Sequence, residues 1–470
     1  LGWIASCVGG GTVHMGGYLY RFHPDDFRMK SRFGEYEEIE DWPISYDELE
    51  PYYLAAEREV GVCGQAGANP HEGLRSGPYP LPPLANHPLA ADLEAACRRR
   101  GLSPFPTPRS INSKPYQGRP GCAYCHDCSG YGCRVGAKGS VQEALLPRAV
   151  ATGRCTVLPE SMVTEITVGR DGRAAGCVFV DSDGTEHEVE AKVVCLSASA
   201  IESARLLLLS KSPRCPDGLA NGSGRVGKHL QFHGVSFGQG RFYHERHPEL
   251  PLGSEQPFLE VSAMDHYFLP DGVSDLAKGG ILRYGLPGAS PLGTALGIAT
   301  GSGRTLWGRE LMERLHRHER EAKTVYFEVF HDFLPNKHTW VELDSEVRDR
   351  WGLPVARIHL DLPGHHARAG RWLVERGLEV LEEMGAQDLQ PSTLGGTSAY
   401  LVHGTCRMGI DPETSVLDPW CRTHEVPNLY VVDGSFMPTS GGAAPTLTIL
   451  AMSFRVADEI ARRLTSGAAG

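Results

Sequence analysis

The segment from Asn428 to Leu464, NLYVVDGSFMPTSGGAAPTLTILAMSFRVADEIARRL, constrains the fold most tightly. It reads as a strand, a glycine loop and then a helix. A similar succession occurs earlier, where short stretches rich in β-branched residues are separated by turn signals such as DGR and SDGT. CTVL, MVTEITV, AAGCVFVD and HEVEAKVVCL, between residues 155 and 196, are predicted as strands. The helical pattern AIESARLLLL follows them directly. Residues 232–345 form a different region, mixing aromatic strands with Gly/Pro turns. Buried strands alternating with helices, beside a separate strand-rich stretch, point to an α/β nucleotide-binding domain interleaved with a second sheet domain.

Composition narrows what such a chain can do. At 470 residues and 41% apolar it can bury more than one core. Its 56 glycines and 33 prolines favour turns over long helices. A formal net charge of -11 without a basic stripe argues against nucleic-acid binding. No apolar run approaches the roughly 20 residues of a membrane span, so no transmembrane segment is expected. The opening LGWIASCVGGGTVHMGG has no basic leader and reads as the middle of a domain. Thirteen cysteines, an odd count, argue against a disulfide framework.

Several local features can be read directly. Residues 1–17 form a glycine-rich loop. Ser45 and Glu48 have capping-box spacing at the head of a helix over 45–60. A short helix over 88–100 ends at Gly101, and Ser140 with Glu143 opens another. HARAGRWLVERGLEVLEEMG, from His366 to Gly385, has the periodicity of an amphipathic helix. Gly222, Gly224 and Gly227 spell G-x-G-x-x-G, but the preceding KSPRCPDGLAN is a loop, so the match is read as a flexible turn. His365 and His366 are read as a solvated helix start. His229 and His233 share helical spacing without an acidic companion, which makes a core or surface role fit better than zinc. Glu375, Glu379, Glu382 and Glu383 are read as a charged helix face.

Cys122, Cys125, Cys128 and Cys133 are spaced C-x2-C-x2-C-x4-C, and four thiols so placed can wrap one metal centre. An iron–sulfur cluster is the favoured reading. Zinc and four reduced cysteines in a loop are the alternatives.

Five blocks, in order, resemble the glucose–methanol–choline (GMC) FAD-dependent oxidoreductases, particularly the branch of bacterial sugar and gluconate dehydrogenase subunits. They are VGGGTVHMGG with RFHPDDF, then DWPISYDELEPYYLAAEREVGV, CAYCHDCSGYGCRVGAKGS, AKVVCLSASAIESARLLLLS, and HGTCRMG through GGAAPTLTI. The resemblance implies an α/β class: an FAD-binding Rossmann-like domain of GMC type with a second α+β substrate domain on a largely antiparallel sheet. The expected FAD-binding domain comprises residues 1–30, 139–235 and 396–470. A connecting segment with the cysteine cluster spans 31–138, and the substrate domain spans 236–395.

The resemblance also implies roles for individual residues. Gly9, Gly10, Gly11, Thr12 and Gly16 fall in the loop expected to let backbone pass close to the flavin and its diphosphate. His14 stands where relatives can carry a covalent bond to the flavin ring; packing beside the ring is the alternative. Val163 matches the position that holds the adenine through its backbone. Asp433 and Gly434 match the segment near the ribityl-diphosphate. Pro445, Thr446 and Leu447 open a helix whose N–H groups are expected to face the flavin pyrimidine oxygen. The implied reaction is oxidation of a CH–OH group in a small-molecule alcohol, sugar, sugar acid or polyol. Electrons would pass to a cytochrome or other acceptor protein, and in this branch similar cysteine clusters are associated with an iron–sulfur centre.

The chain departs from the family pattern in three places. The opening β-α-β unit with its glycine fingerprint, which in the family precedes the VGGG block, does not precede Leu1 here, so weak FAD binding is expected of the chain as it stands. The family's catalytic His and its His/Asn partner correspond to Leu401 and Ala444, neither of which accepts a proton. His403, two residues from Leu401 along an extended segment, is the nearest replacement base, with a pKa expected near working pH. Its alternative role is structural, and Arg407 and Tyr400 are read as packing the same loop. Ser199 stands where the family's strand usually ends in Gly. A catalytically altered or inactive flavoprotein subunit is therefore the competing reading.

Overall fold

The computed structural model describes residues 4–36, 38–126, 128–248, 257–287, 291–301, 303–362, 364–392 and 397–466. A 3-10 turn at Gly10–Val13 precedes helices α1 (Met29–Phe33), α2 (Tyr46–Val60) and α3 (Leu89–Arg99). Strand β1 (Phe105–Pro106) and helices α4 (Val141–Ala144) and α5 (Leu146–Ala151) follow. Next come β2 (Met162–Val168), β3 (Ala174–Val180), β4 (Glu186–Glu190), β5 (Val194–Leu196) and α6 (Ala200–Leu209). The middle of the chain carries β6 (Lys228–Tyr243), β7 (Val261–Ala263), β8 (Gly280–Gly285), α7 (Pro291–Thr300), α8 (Gly308–Glu321) and β9 (Ala322–His331). It closes with β10 (Trp340–Arg348), β11 (Pro354–His359), α9 (Gly364–Glu383), β12 (Gln387–Ser392), β13 (Thr397–Thr405), β14 (Leu429–Val431) and α10 (Thr446–Thr465).

Local sequence chemistry explains several boundaries. Ser45 accepts from the Glu48 N–H and Glu48 reaches back to the Ser45 N–H, so the predicted capping box opens α2. Ser140 caps α4 through the Glu143 N–H. The G-x-G-x-x-G segment is a turn leading into β6, as the sequence indicates. CTVL differs from expectation: Cys155–Leu158 forms no strand, and Val157 and Leu158 face solvent instead of packing against a neighbour.

The dominant sheet has seven strands in the order β1-β7-β8-β9-β6-β12, with β13 also pairing with β6, and its pairings are antiparallel. It draws β1, β13 and the start of β6 from outside residues 236–395. Its registers align Val235 with Phe330 and Ile281, and Phe237 with Glu328 and Arg283. Directly opposed residues share a face, so alternation sorts this sheet into two different surfaces. One face carries Phe242, Val325, Phe327, Val329, Leu282 and Tyr284, packed beneath Leu373, Val374 and Leu381 of α9 and Leu93 of α3. Gly238 of β6 and Gly377 of α9 leave room for the Phe327 ring, which lies 2.3 Å from where either Cβ would sit.

The opposite face mixes Val235, Phe330 and Ile281 with Ser262, Glu328 and Arg283, and it looks onto residues 18–22. Beside the large sheet, β5 and β14 form a parallel pair, and β2, β3 and β4 form a separate antiparallel sheet.

This packing corrects one histidine expectation and meets another. His365 and His366 are fully buried, not solvated. The His365 Nδ1 meets Ser274 Oγ at 2.7 Å and the His366 ring lies 4.7 Å from that of His331. His229 and His233 are buried on β6, the core role expected of them, and His229 bonds to an acid, Glu38, that the sequence did not pair with it. Because Leu373 is fully buried at the centre of the α9 interface, Leu373→Ala is expected to cost about 2–5 kcal/mol, read as a shift in the denaturant midpoint at constant slope.

Candidate active site

Strands β13 and β6 bring two histidines together. His403 pairs in register with Gln231, and Val402 with Phe232, which places His233 beside His403. Both imidazoles are fully buried, with ring centroids 6.1 Å apart. The His233 Nε2 meets the Ala443 carbonyl at 2.9 Å and its Nδ1 meets the Gly234 carbonyl at 3.0 Å. Neither ring nitrogen of His403 has a hydrogen-bond partner among the described residues. An orphaned buried imidazole is costly and normally finds partners.

Burial holds the His403 pKa well below the usual histidine value, with His233 adding to the effect. Burial also pushes His233 down, to about 4, against its two carbonyl contacts. Both rings are therefore neutral at pH 7. The expectation of a pKa near working pH for His403 is not met, because burial and the neighbouring His233 both disfavour its protonated form. Leu401 packs against the main core and Ala444 lies in the loop before α10.

That loop is held from several sides. The Trp42 Nε1 donates to Thr439 Oγ1 at 2.9 Å, and the Gly442 N–H donates to Tyr267 Oη at 2.9 Å. The Ser440 hydroxyl donates to Asp332 Oδ1 at 2.8 Å. Lys278 sits fully buried between Asp26 and Asp332. At Gly441 any Cβ would strike the Phe22 ring, 2.9 Å away. The loop delivers α10 with no side chain capping its first turn, so the N–H groups at Thr446 and Leu447 remain available donors.

Asp433 organises the chain around it. Its buried carboxylate accepts from the Ser199 N–H at 3.0 Å, the Ser435 N–H at 2.8 Å and the hydroxyls of Ser203 and Ser435. It thereby ties the start of α6 to the end of β14. Ser199 has φ +81° and ψ 159°, a conformation that favours glycine. Gly434 abuts the Val402 carbonyl, 2.7 Å from where a Cβ would sit.

In the glycine loop, Gly9 and Gly10 have φ +94° and +57°, and a Cβ at Gly10 or Gly11 would meet open space. The Thr12 hydroxyl donates to the Gly9 carbonyl at 2.7 Å and accepts from the Val141 N–H at 3.0 Å. The His14 carbonyl accepts from the Gly130 N–H at 2.7 Å, which leaves the imidazole half-buried. The Gly16 carbonyl accepts from the Arg109 guanidinium, which also pairs with Glu260 of the large sheet. The loop reaches the histidine pair through Tyr20 and Phe330, whose rings are 6.5 Å apart, with Phe330 5.7 Å from His233. Val163 stays on the separate β2–β3–β4 sheet, facing Phe179 beside a bulge.

The cysteine quartet does not gather into a metal site. Among the described residues no three His, Cys, Asp or Glu side chains are grouped to hold a metal ion. All thirteen cysteines are free. The loop is organised instead around the buried Lys138 ammonium, which donates to the carbonyls of Cys128 and Tyr131 at 2.8 Å and of Met15 at 3.0 Å.

An open glycine loop, an uncapped helix start and an unpaired buried imidazole together fit a flavin nucleotide. Sequence reasoning did not single out His233, Arg109, Glu260 or Arg283 for this interior. The signal lay in the period-2 pattern of β6 and β8, which puts His233 and Arg283 on the sheet face opposite the α9 side.

Two outcomes follow from these contacts. Ser199→Gly relieves the backbone strain and is expected to stabilise the fold by about 1 kcal/mol, visible as a raised melting temperature. For His233 the folded pKa lies below the unfolded one, so between about pH 6.5 and 4 the unfolded chain binds more protons. Its contribution is complete above pH 6.5 and is lost as pH falls towards 4. Melting temperature should decline over that window, and less steeply in His233→Gln.

Residues 2–235 and 335–453 match the two family models described as GMC oxidoreductase. The chain is 32% identical to 6'''-hydroxyparomomycin C oxidase of Streptomyces lividus, covering 99% of this chain and 80% of that protein. It is 32% identical to 2-methyl-1,2-propanediol dehydrogenase of Mycolicibacterium austroafricanum, over 98% and 82%. It is 30% identical to the fructose dehydrogenase large subunit of Gluconobacter japonicus, over 99% and 82%. Among solved structures, pyridoxine 4-oxidase of Mesorbium loti is similar with a TM-score of 0.58 at 19% identity, covering 97% of this chain and 88% of that one.

Proposed function

Because this chain belongs to the GMC oxidoreductase family, we propose that it is an FAD-dependent dehydrogenase for a CH–OH group of a sugar, sugar acid or polyol. The observation that carries the reading is the His403 imidazole, fully buried with both nitrogens unpaired beside His233. The names of the relatives, a fructose dehydrogenase and a propanediol dehydrogenase among them, support the substrate class.

FAD, when bound, supplies the two-electron acceptor for the carbinol carbon. The residues of this chain supply the rest. Gly9, Gly10 and Gly11 make room for its diphosphate, and the N–H groups of Thr446 and Leu447 offer positive potential to the pyrimidine end. His14 is the residue for contact with, or covalent attachment to, the ring. His403, neutral at pH 7, takes the hydroxyl proton, and His233 fixes its surroundings through the Ala443 carbonyl. Electrons then pass to an acceptor protein such as a cytochrome.

A second reading is a flavoprotein subunit that holds FAD without oxidising alcohols. It is favoured by Leu401 and Ala444 and by the strongly depressed basicity of His403. Anaerobic titration of the FAD-loaded protein with sugars and polyols separates the two. Bleaching of the flavin absorption supports the dehydrogenase, and a bound but unreactive flavin supports the second reading. His403→Ala is expected to lower the reduction rate by about 10²-fold or more while FAD stays bound. A rate equal to the parent's would remove His403 from the reaction.

A further inference from the structure

A second cavity opens on the same sheet face, away from the histidine pair. Tyr18, Glu260, Arg283, Phe258 and Tyr326 line it, with Ser129 of the cysteine loop at its edge. His233 and Arg283 are separated by four residues along the strands and two strands across, about 16 Å between backbones. The packed rings of Tyr20 and Phe330 stand between the two places.

The charges in this cavity are incompletely matched. The Arg283 guanidinium donates to Tyr326 Oη at 2.6 Å, lies 3.5 Å from Glu260 Oε1 and 3.4 Å from Glu328 Oε2, and stacks 4.0 Å from the Tyr18 ring. Its Nε has no acceptor. Glu260 pairs through Oε1 with both Arg109 and Arg283, and its Oε2 has no donor. Arg283 is 2% exposed and Glu260 5%. A buried donor and a buried acceptor, both unsatisfied and side by side, each cost free energy unless a ligand completes them.

We propose that this cavity binds a polyhydroxylated small molecule, a sugar or polyol, through two adjacent hydroxyl groups. One hydroxyl accepts from the Arg283 guanidinium, and its neighbour donates to the free Glu260 oxygen. A hydroxyl is both donor and acceptor, so a vicinal pair satisfies both orphans, whereas a simple anion would leave Glu260 without a donor. The Tyr18, Phe258 and Tyr326 rings offer the apolar surface against which the C–H face of such a ligand packs. Gly285 lets the guanidinium lie where it does: a Cβ there would sit 2.7 Å from Arg283 Nη2.

Calorimetric titration of the full-length protein with sorbitol, and with 1-hexanol as a six-carbon control, tests the site without requiring turnover. Sorbitol should bind and 1-hexanol should bind at least about tenfold more weakly. Arg283→Lys keeps the charge but loses the fork, and Gly285→Ala displaces it; each should weaken sorbitol binding about tenfold or more. Equal affinity for both ligands in the parent protein would overturn the proposal, whether or not the variants fold. So would folded variants that bind sorbitol as tightly as the parent. An FAD-loaded protein that oxidises no alcohol yet passes this test would leave the cavity assigned and the dehydrogenase reading refuted.

Discussion

A guanidinium without water must find anions or carbonyls, and the position of Arg109 shows what that requirement does to this fold. The side chain is fully enclosed, stacked between the Tyr18 and Phe258 rings, and it joins the Gly16 carbonyl to Glu260. Glycine loop and large sheet are thus coupled through one ionic contact whose loss would leave a buried carboxylate facing Arg283 alone. Such a contact adds little net stability over an apolar replacement, but breaking half of it is expensive. Its structural consequence is register: the glycine loop is fixed relative to the strands that carry the histidines.

The same logic runs through the rest of the interior. Lys278 balances Asp26 and Asp332, Arg21 balances Glu50 and Glu57, and Asp433 gathers four donors at the head of α6. Each of these buried groups has charged or polar partners among its neighbours, although Asp332 Oδ2 meets Lys278 only at 3.4 Å. Buried polar atoms without a hydrogen-bond partner among the described residues include His403 Nδ1 and Nε2, Arg283 Nε and Glu260 Oε2, together with others elsewhere in the fold such as Arg75 Nε, Asn112 Oδ1 and Thr167 Oγ1.

Much of this was legible in the sequence. Capping chemistry announced α2 and α4, β-branched runs announced β2 and β3, and the G-x-G-x-x-G turn was correctly set aside for lack of a preceding strand. The family itself could be read from five ordered blocks. What could not be read was tertiary. His365 and His366 looked solvated because a helix start is usually exposed, yet α9 lies with that end against β9. His229 and His233 were four apart, which suits a helix and a strand equally; only pairing with β9 and β13 settles the matter. The cysteine spacing does not announce Lys138, five residues beyond Cys133, whose ammonium takes carbonyls of that loop. The basicity of His403 is a property of its burial, which no local pattern records.

A crystal structure of the protein loaded with FAD and soaked with a non-reacting sugar analogue tests the central claim most directly. The account expects the flavin ring against the start of α10, with a hydroxyl of the analogue within hydrogen-bond distance of a His403 ring nitrogen. A flavin seated elsewhere, with His403 still enclosed by protein alone, would contradict it.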